Sequence, residues 1–232
     1  MKITACCCTY CRPDTLAEML WCFEKQDYPD RELVILDDAG QYKNQEGDRW
    51  RLISSPGRYT SLGEKRNATV RLASSDSEYI AIWDDDDLYL PWALSAVADA
   101  LDRAEWCRPS IVLEPSADKS AVQQVRAEGF YHGAWGFRRT AWEEAGGYPS
   151  ISGMEDKQFG EQLVAQFATE CDPMSLAYAP YYVYRFGVSG WSVNNPGGYG
   201  ALEKLSREPV VLSPRQPQLP MTMLEDIRWK GW

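Results

Sequence analysis

The chain has 232 residues, 44% of them hydrophobic and 25% charged, and carries a formal net charge of −10. These are the proportions of a globular protein, and the acidic balance disfavours a surface built to track nucleic-acid phosphates. No apolar stretch approaches the roughly 20 residues that span a bilayer, and the opening Lys2-Ile3-Thr4-Ala5 reads as a strand and not as a signal peptide, so a cytoplasmic location is expected.

Residues 2–8 are a short apolar run. Pro13 and Asp14 mark a helix start, and Leu16, Leu20 and Phe23 share one helical face. Beyond Pro29, Leu33–Leu36 has the pattern of a buried strand that ends in Asp37-Asp38-Ala39-Gly40. Residues 51–54 predict a short strand and Ser55-Pro56-Gly57 a turn. Leu62, Val70 and Ala73 fall on one face of the next helix. Tyr79–Trp83 is again a buried-strand run, and four consecutive aspartates, Asp84–Asp87, follow it. Leu94, Val97, Ala98 and Leu101 make another amphipathic helix. The β-α-β-α-β order predicts a parallel sheet with helices on its faces.

The second half is less regular. Trp135-Gly136-Phe137 and Gly146-Gly147-Tyr148-Pro149 bracket a short helix. Glu155–Phe167 is helical in pattern, with Phe159, Leu163 and Phe167 on one face, and Tyr178–Phe186 is aromatic and strand-like. Residues 187–200 are rich in Gly and Asn, which predicts a mobile loop. Residues 208–220 hold four prolines and predict an extended connector. Met221–Trp232 is a terminal segment that packs back on the domain or serves a partner.

The seven cysteines are an odd number, so at least one is unpaired within the chain. Cys8 and Cys11 form a C-x-x-C, but no second pair follows at zinc-site spacing. Small buried hydrophobes at the end of the first strand, in a reducing compartment, are the preferred reading over a redox motif. His132, the single histidine, is read as a satisfied structural residue.

Four adjacent carboxylates repel one another and raise each other's pKa. A bound Mg²⁺ or Mn²⁺ removes that conflict, since hard cations take carboxylate oxygens; a solvated acidic turn is the alternative. Two strands end in aspartates, and the C-terminal ends of parallel strands lie on one edge, so Asp37/Asp38 and Asp84–Asp87 are expected to line one cleft. That convergence favours the metal site.

In order along the chain, Thr9-Tyr10-Cys11-Arg12-Pro13, Leu33–Gly40, Gly63-Glu64-Lys65-Arg66-Asn67-Ala68, Tyr79–Pro91, Gly133–Tyr148 and Met154-Glu155-Asp156 resemble the segments of family 2 glycosyltransferases. The resemblance covers roughly residues 2–190. It implies an α/β fold of GT-A type: a Rossmann-like, mostly parallel central sheet flanked by helices, with a smaller acceptor-side subregion. Residues 1–200 would form one catalytic domain, with a nucleotide-sugar half at about 1–105, an acceptor half at about 106–200, and a C-terminal extension at 201–232. It implies an inverting, metal-dependent transfer of one sugar from a nucleotide-diphosphate sugar, a UDP-sugar by preference, to an acceptor hydroxyl. That hydroxyl belongs to a glycan, a lipid-linked sugar, a protein or a modified nucleic acid.

The same resemblance assigns the site. Asp86, with Asp84, would hold Mn²⁺ or Mg²⁺. Thr9, Tyr10, Arg12, Asp37, Asp38, Arg66, Asp84, Asp85 and Arg185 would bind the nucleotide-sugar; Arg66 offers a planar fork of donors to the diphosphate, and Lys65 is the weaker candidate. Asp156 would be the general base and Glu155 would orient the site or touch the acceptor; the competing reading is that both cap their helix. Trp191 would close over the donor.

Cys11 departs from the family's usual Asn, and Lys157-Gln158-Phe159 departs from its usual Trp and later Arg. No Gln-x-x-Arg-Trp motif or membrane helix accompanies the pattern, which argues against a processive synthase. A nucleotidyltransferase or pyrophosphorylase would want a Gly-rich basic loop after the first strand, where this chain has Cys8–Pro13. An inactive carbohydrate-binding relative would suit the ten tryptophans and thirteen tyrosines but not intact Asp86 and Asp156.

Overall fold

The computed structural model describes residues 1–116, 121–185 and 209–217. The chain opens with β1 (Lys2–Thr9), α1 (Pro13–Glu24), β2 (Arg31–Asp37), β3 (Gln45–Gly47) and β4 (Trp50–Ser54). It continues through α2 (Leu62–Leu72), β5 (Ser77–Asp84), β6 (Leu88–Tyr89), α3 (Ala93–Leu101), β7 (Trp106–Cys107), β8 (Ile111–Pro115) and β9 (Val122–Arg126). A 3₁₀ turn at His132–Ala134 leads to β10 (Gly136–Arg138), α4 (Arg139–Glu144), α5 (Glu155–Gln166), β11 (Glu170–Cys171), a second 3₁₀ turn at Pro173–Leu176 and β12 (Tyr182–Val183).

Eight strands form the main sheet in the order β11-β7-β10-β5-β1-β2-β4-β3. Its centre, β5-β1-β2-β4, is parallel. Alternation along the central strands sorts two cores. Ile3, Ala5, Cys7, Tyr79, Ala81 and Trp83 pack with α1 and α3, while Cys6, Ile80 and Ile82 pack with Val70, Trp142, Phe159 and Leu163 from α2, α4 and α5. The mostly parallel sheet with helices on both faces is the architecture expected from the sequence.

Register brings the functional ends together. Thr9 pairs with Asp37, Asp37 with Ser54, and Cys8 with Asp84, so the C-terminal ends of four parallel strands share one edge. The chain moves outward from β1 to β2 and β4, then returns to the other side of β1 as β5; such a reversal opens a crevice at the strand ends.

Helix signals act locally. Pro13 and Asp14 occupy the first turn of α1, where a missing N–H costs nothing and a carboxylate suits the dipole. Ser61 caps α2 by accepting the Glu64 N–H at 3.2 Å. The buried face of α2 differs from expectation: Val70 is fully buried and Leu62 only half-buried, and Lys65, Asn67 and Thr69 are buried beside Val70. The helix lies against the strand ends, so its inward polar groups meet site residues and loops.

The β3–β4 hairpin, the strands β7 and β11, and the second sheet, β6-β12-β8-β9, are not apparent from periodicity. β7, β11, β6 and β12 have two residues each, too few to show a period, and β9 is a largely polar strand at the end of its sheet. Among the described residues of the aromatic run Tyr178–Phe186, Tyr182–Val183 form strand. Of the connector expected at 208–220, residues 209–217 are described; Val210 bridges Tyr42 and Leu212 joins the α1 core. Trp191, residues 187–200 and Met221–Trp232 lie outside the described residues. Among the described residues no helix is long and apolar enough to cross a membrane.

Candidate active site

A cleft of about 710 Å³ opens at the C-terminal ends of β1, β2 and β5. Its walls bring together Thr9, Tyr10, Arg12, Asp38, Arg66, Asp84, Asp85, Asp86 and Asp156, residues that lie up to 147 positions apart (156 − 9). Asp37, Glu155 and Arg185 are not on its walls.

Asp37 is fully buried and organises the loop after β2. Its carboxylate accepts hydrogen bonds from the N–H groups of Ala39 (3.0 Å) and Gln41 (2.9 Å) and from the Ser54 hydroxyl (2.7 Å). Asp38, the next residue, points to the cleft. It pairs with Lys65 Nζ at 2.5 Å and Arg58 Nε at 3.4 Å, and accepts from the Tyr59 N–H. Arg58 stacks 3.7 Å from the Tyr10 ring, a cation–π contact. Lys65 also donates to the Thr9 carbonyl at 2.6 Å, which ties α2 to the end of β1. Lys65, second choice to Arg66 from sequence, is therefore central to this wall. Arg58 carries no sequence signal that would single it out.

The four aspartates divide by direction. Asp85 is buried; it accepts from Thr9 Oγ1 at 2.7 Å and from Arg12 Nη1 at 2.6 Å. Asp87 is buried too, accepting from the Tyr182 hydroxyl and from the Arg185 N–H. Asp84 and Asp86 keep part of their carboxylates accessible, at 29% and 21% of the side chain. Arg66 Nη1 lies 3.5 Å from Asp84 and Arg12 Nη1 lies 3.1 Å from Asp86. Burial, opposed by Arg66 and reinforced by Asp86 and Asp85, pushes the Asp84 carboxyl up to about 6. Burial, then Asp86 and Asp84, push Asp87 well above the usual carboxylate range.

Among the described residues no three His, Cys, Asp or Glu side chains form a ready metal cage. The arrangement fits a cation held by one or two carboxylates plus ligand oxygens, the usual mode for Mg²⁺. Asp84 and Asp86 are the pair with accessible oxygens, and their mutual repulsion is what a cation would relieve.

Across the cleft, Asp156 stands in the first turn of α5, and its Oδ1 accepts the Lys157 N–H at 2.7 Å. It thus satisfies one N–H of the helix's first turn while lining the cleft, and the N-cap position itself is Met154. Glu155 is buried behind it. Its Oε1 accepts from Arg66 Nε at 3.4 Å, and Oε2 has no partner. Glu155 therefore positions Arg66. Arg185 also sits behind the cleft, donating from Nε to the Asp86 carbonyl at 2.7 Å and pairing with Glu18. That placement differs from a direct contact with the nucleotide-sugar, because the arginine's donors are turned toward the protein.

Cys6 and Cys7 are buried, Cys8 faces the cleft and contacts Thr69 at 3.2 Å, and all seven cysteines are free thiols. Cys11 adopts φ 57°, the left-handed region that Asn tolerates better than most residues. His132 Nε2 pairs with the Tyr148 hydroxyl at 2.9 Å, and burial together with Arg66 holds the imidazole well below its ordinary pKa.

A cleft at the switch point of a mostly parallel sheet, with an acidic strand end and a facing helical carboxylate, defines a GT-A fold. Residues 4–107 match the family model described as glycosyl transferase family 2. No curated protein matches the sequence. Among solved structures, S. aureus TarS 1-349 in complex with UDP-GlcNAc is 16% identical, with TM-score 0.63, over 80% of this chain and 58% of that one. The same TarS fragment in complex with UDP is 17% identical, with TM-score 0.61, over 82% and 61%. Mannosyltransferase PcManGT from Pyrobaculum calidifontis, in complex with GDP-Man and Mn²⁺, is 21% identical, with TM-score 0.51, over 70% and 51%. The chain thus spans about three fifths of the TarS fragment's length.

Proposed function

We propose that this protein is an inverting glycosyltransferase that moves one sugar from a nucleotide-diphosphate sugar, a UDP-sugar by preference, to an acceptor hydroxyl. The observation that carries the reading is the convergence of Asp84/Asp86, Arg12/Arg66 and Asp156 on one cleft. Residues 1–105 would supply the donor side and residues 106–200 most of the acceptor side. TarS bound to UDP-GlcNAc and PcManGT bound to GDP-Man and Mn²⁺ support a nucleotide-sugar ligand.

In this reading Tyr10, Arg58 and Asp38 receive the base and ribose. Arg12 and Arg66 lie where a diphosphate would pass, and bidentate guanidinium contacts suit its oxygens. Asp84 and Asp86 would hold a divalent cation, which neutralises charge on the departing diphosphate. Asp156 takes the proton from the acceptor hydroxyl as that oxygen bonds to the anomeric carbon. The bond from that carbon to the diphosphate oxygen breaks, and the nucleoside diphosphate leaves with the electron pair. One base and one displacement suffice, so configuration inverts without a covalent sugar intermediate.

The test is nucleoside-diphosphate release from a panel of nucleotide-sugars with Mn²⁺, Mg²⁺ or EDTA, beside calorimetry of UDP binding. Metal-dependent release from one donor, lost in Asp86→Ala, is expected. Asp156→Asn should abolish transfer while UDP still binds. Full activity in both variants would remove both assignments.

A further inference from the structure

Glu18 lies on α1, outside the cleft, and is buried. Its two carboxylate oxygens serve two arginines that flank residues 186–208. Oε2 pairs with Arg185 Nη1 at 2.5 Å, and Oε1 pairs with Arg215 Nη2 at 3.2 Å. Arg185 continues the chain of contacts to the acidic turn: its Nε donates to the Asp86 carbonyl at 2.7 Å and its N–H to Asp87 Oδ1 at 2.7 Å. Arg215 continues it outward, pairing with Asp14 at 2.9 Å, while its own N–H donates to the Ala17 carbonyl at 3.0 Å.

A buried acid with two arginine partners is costly to assemble, and removing one member leaves uncompensated charge. Stability alone gives no reason for a charged set here, since apolar residues of similar volume would pack as well. Its geometry gives another reason. The chain turns sharply between β5 and β6, and Arg185 holds that turn at the Asp86–Asp87 peptide group, through the Asp86 carbonyl, and at the Asp87 side chain. Arg185 is in turn held by Glu18.

We propose that Glu18 is a positioning residue: through Arg185 it fixes the orientation of Asp86, and through Arg215 it makes that orientation depend on docking of residues 209–217 against α1. This rests on the reading in which Asp86 meets the donor's diphosphate and cation. Glu18 touches neither. It sets the angle at which the Asp86 carboxylate is presented, and the segment at 209–217 becomes part of the site's support though it lines none of the cleft.

Two variants test it, Glu18→Gln, which keeps shape and removes charge, and Arg215→Gln, at a half-exposed side chain. The first readout needs no ligand: amide hydrogen exchange of the peptide spanning residues 84–90. Both variants should speed it, by about tenfold or more for Glu18→Gln, which keeps an accepting oxygen but removes the charge that pairs with both arginines. Peptides from β1 and β10 should be unchanged. The second readout is UDP affinity with EDTA and with Mn²⁺: affinity in EDTA stays at the wild-type value, while the gain on adding Mn²⁺ shrinks several-fold. Unchanged exchange at 84–90 in both variants would overturn the proposal, as would acceleration confined to residues 209–217 in Arg215→Gln. If the wild-type protein binds no nucleotide under any condition, the transferase reading fails, and the exchange measurement still decides the role of Glu18.

Discussion

Asn67 offers the sharpest quantitative test of the site's framework. It sits on α2, next to Arg66, and is buried. Its Oδ1 accepts from the Tyr148 N–H at 2.8 Å and from Trp142 Nε1 at 3.0 Å, and its Nδ2 donates to the Tyr148 carbonyl at 2.8 Å. One side chain therefore joins α2 to the Gly146-Gly147-Tyr148 turn. Asn67→Ala leaves two donors and one acceptor buried without partners. Each orphaned group costs about 1–3 kcal/mol; the carbonyl keeps a second lone pair and lies at the low end, so the loss should total about 3–7 kcal/mol. That is a large part of a typical domain's margin of roughly 5–15 kcal/mol. Urea denaturation reads it as a fall in midpoint at constant m-value. Asn67→Asp keeps the accepting oxygen and sets a second oxygen against the Tyr148 carbonyl, so it should be destabilised without losing the Trp142 contact. A loss under about 1 kcal/mol in Asn67→Ala at unchanged m would show that water replaces the amide, and would refute the reasoning.

Gly63 approaches the backbone of the loop before α5; a Cβ there would lie 1.8 Å from the Pro149 carbonyl oxygen. Gly63→Ala should therefore cost about 1–3 kcal/mol by forcing α2 and the Asp156 loop apart, seen as a lower melting temperature and weaker nucleotide binding together. His132 is held neutral in the folded state, so the unfolded chain takes up a proton below pH 6.5 that the native ring refuses. Stability should fall as pH drops below that value, by up to about 1.4 kcal/mol per pH unit. Asp84, raised to about 6, acts in the opposite sense between pH 6 and its unfolded value. The difference between wild-type and His132→Gln stability curves isolates the histidine, and parallel curves would contradict it. Lys65→Met strips the buried Asp38 of its nearest cation and should cost about 3 kcal/mol, since Arg58 and the Tyr59 N–H remain. Chemical denaturation checks that figure, and UDP titration checks the accompanying loss at the base wall.

Much of the architecture was legible in residue order. The apolar runs at 2–8, 33–36 and 79–83 are buried strands because each is short, continuous and closed by polar residues, and such runs belong inside a parallel sheet. Asp38 and Asp84–Asp87 could be placed on one edge before any coordinates, because parallel strands end on the same side. The aspartates' individual duties could not be read there. Asp37 and Asp38 are adjacent and chemically identical, yet side chains alternate about a strand end, so one organises a turn and the other faces the cleft. Asp85 and Asp87 are likewise turned inward, while Asp84 and Asp86 keep accessible oxygens.

Long-range pairing is where local pattern stops. Arg185 has the appearance of a phosphate-binding arginine in sequence, but its guanidinium is committed to Glu18, 167 positions earlier. Nothing near either residue signals that contact. The two-residue strands β6, β7, β11 and β12 exist because a neighbouring strand offers them hydrogen bonds, not because of their own periodicity. The sequence by itself determined the class of fold, the edge that carries the chemistry and the residue types gathered there, because these follow from local hydrophobic period and parallel-strand polarity. Only the tertiary structure decided which carboxylates face the cleft and which arginines brace it, because those outcomes depend on partners far away in the chain.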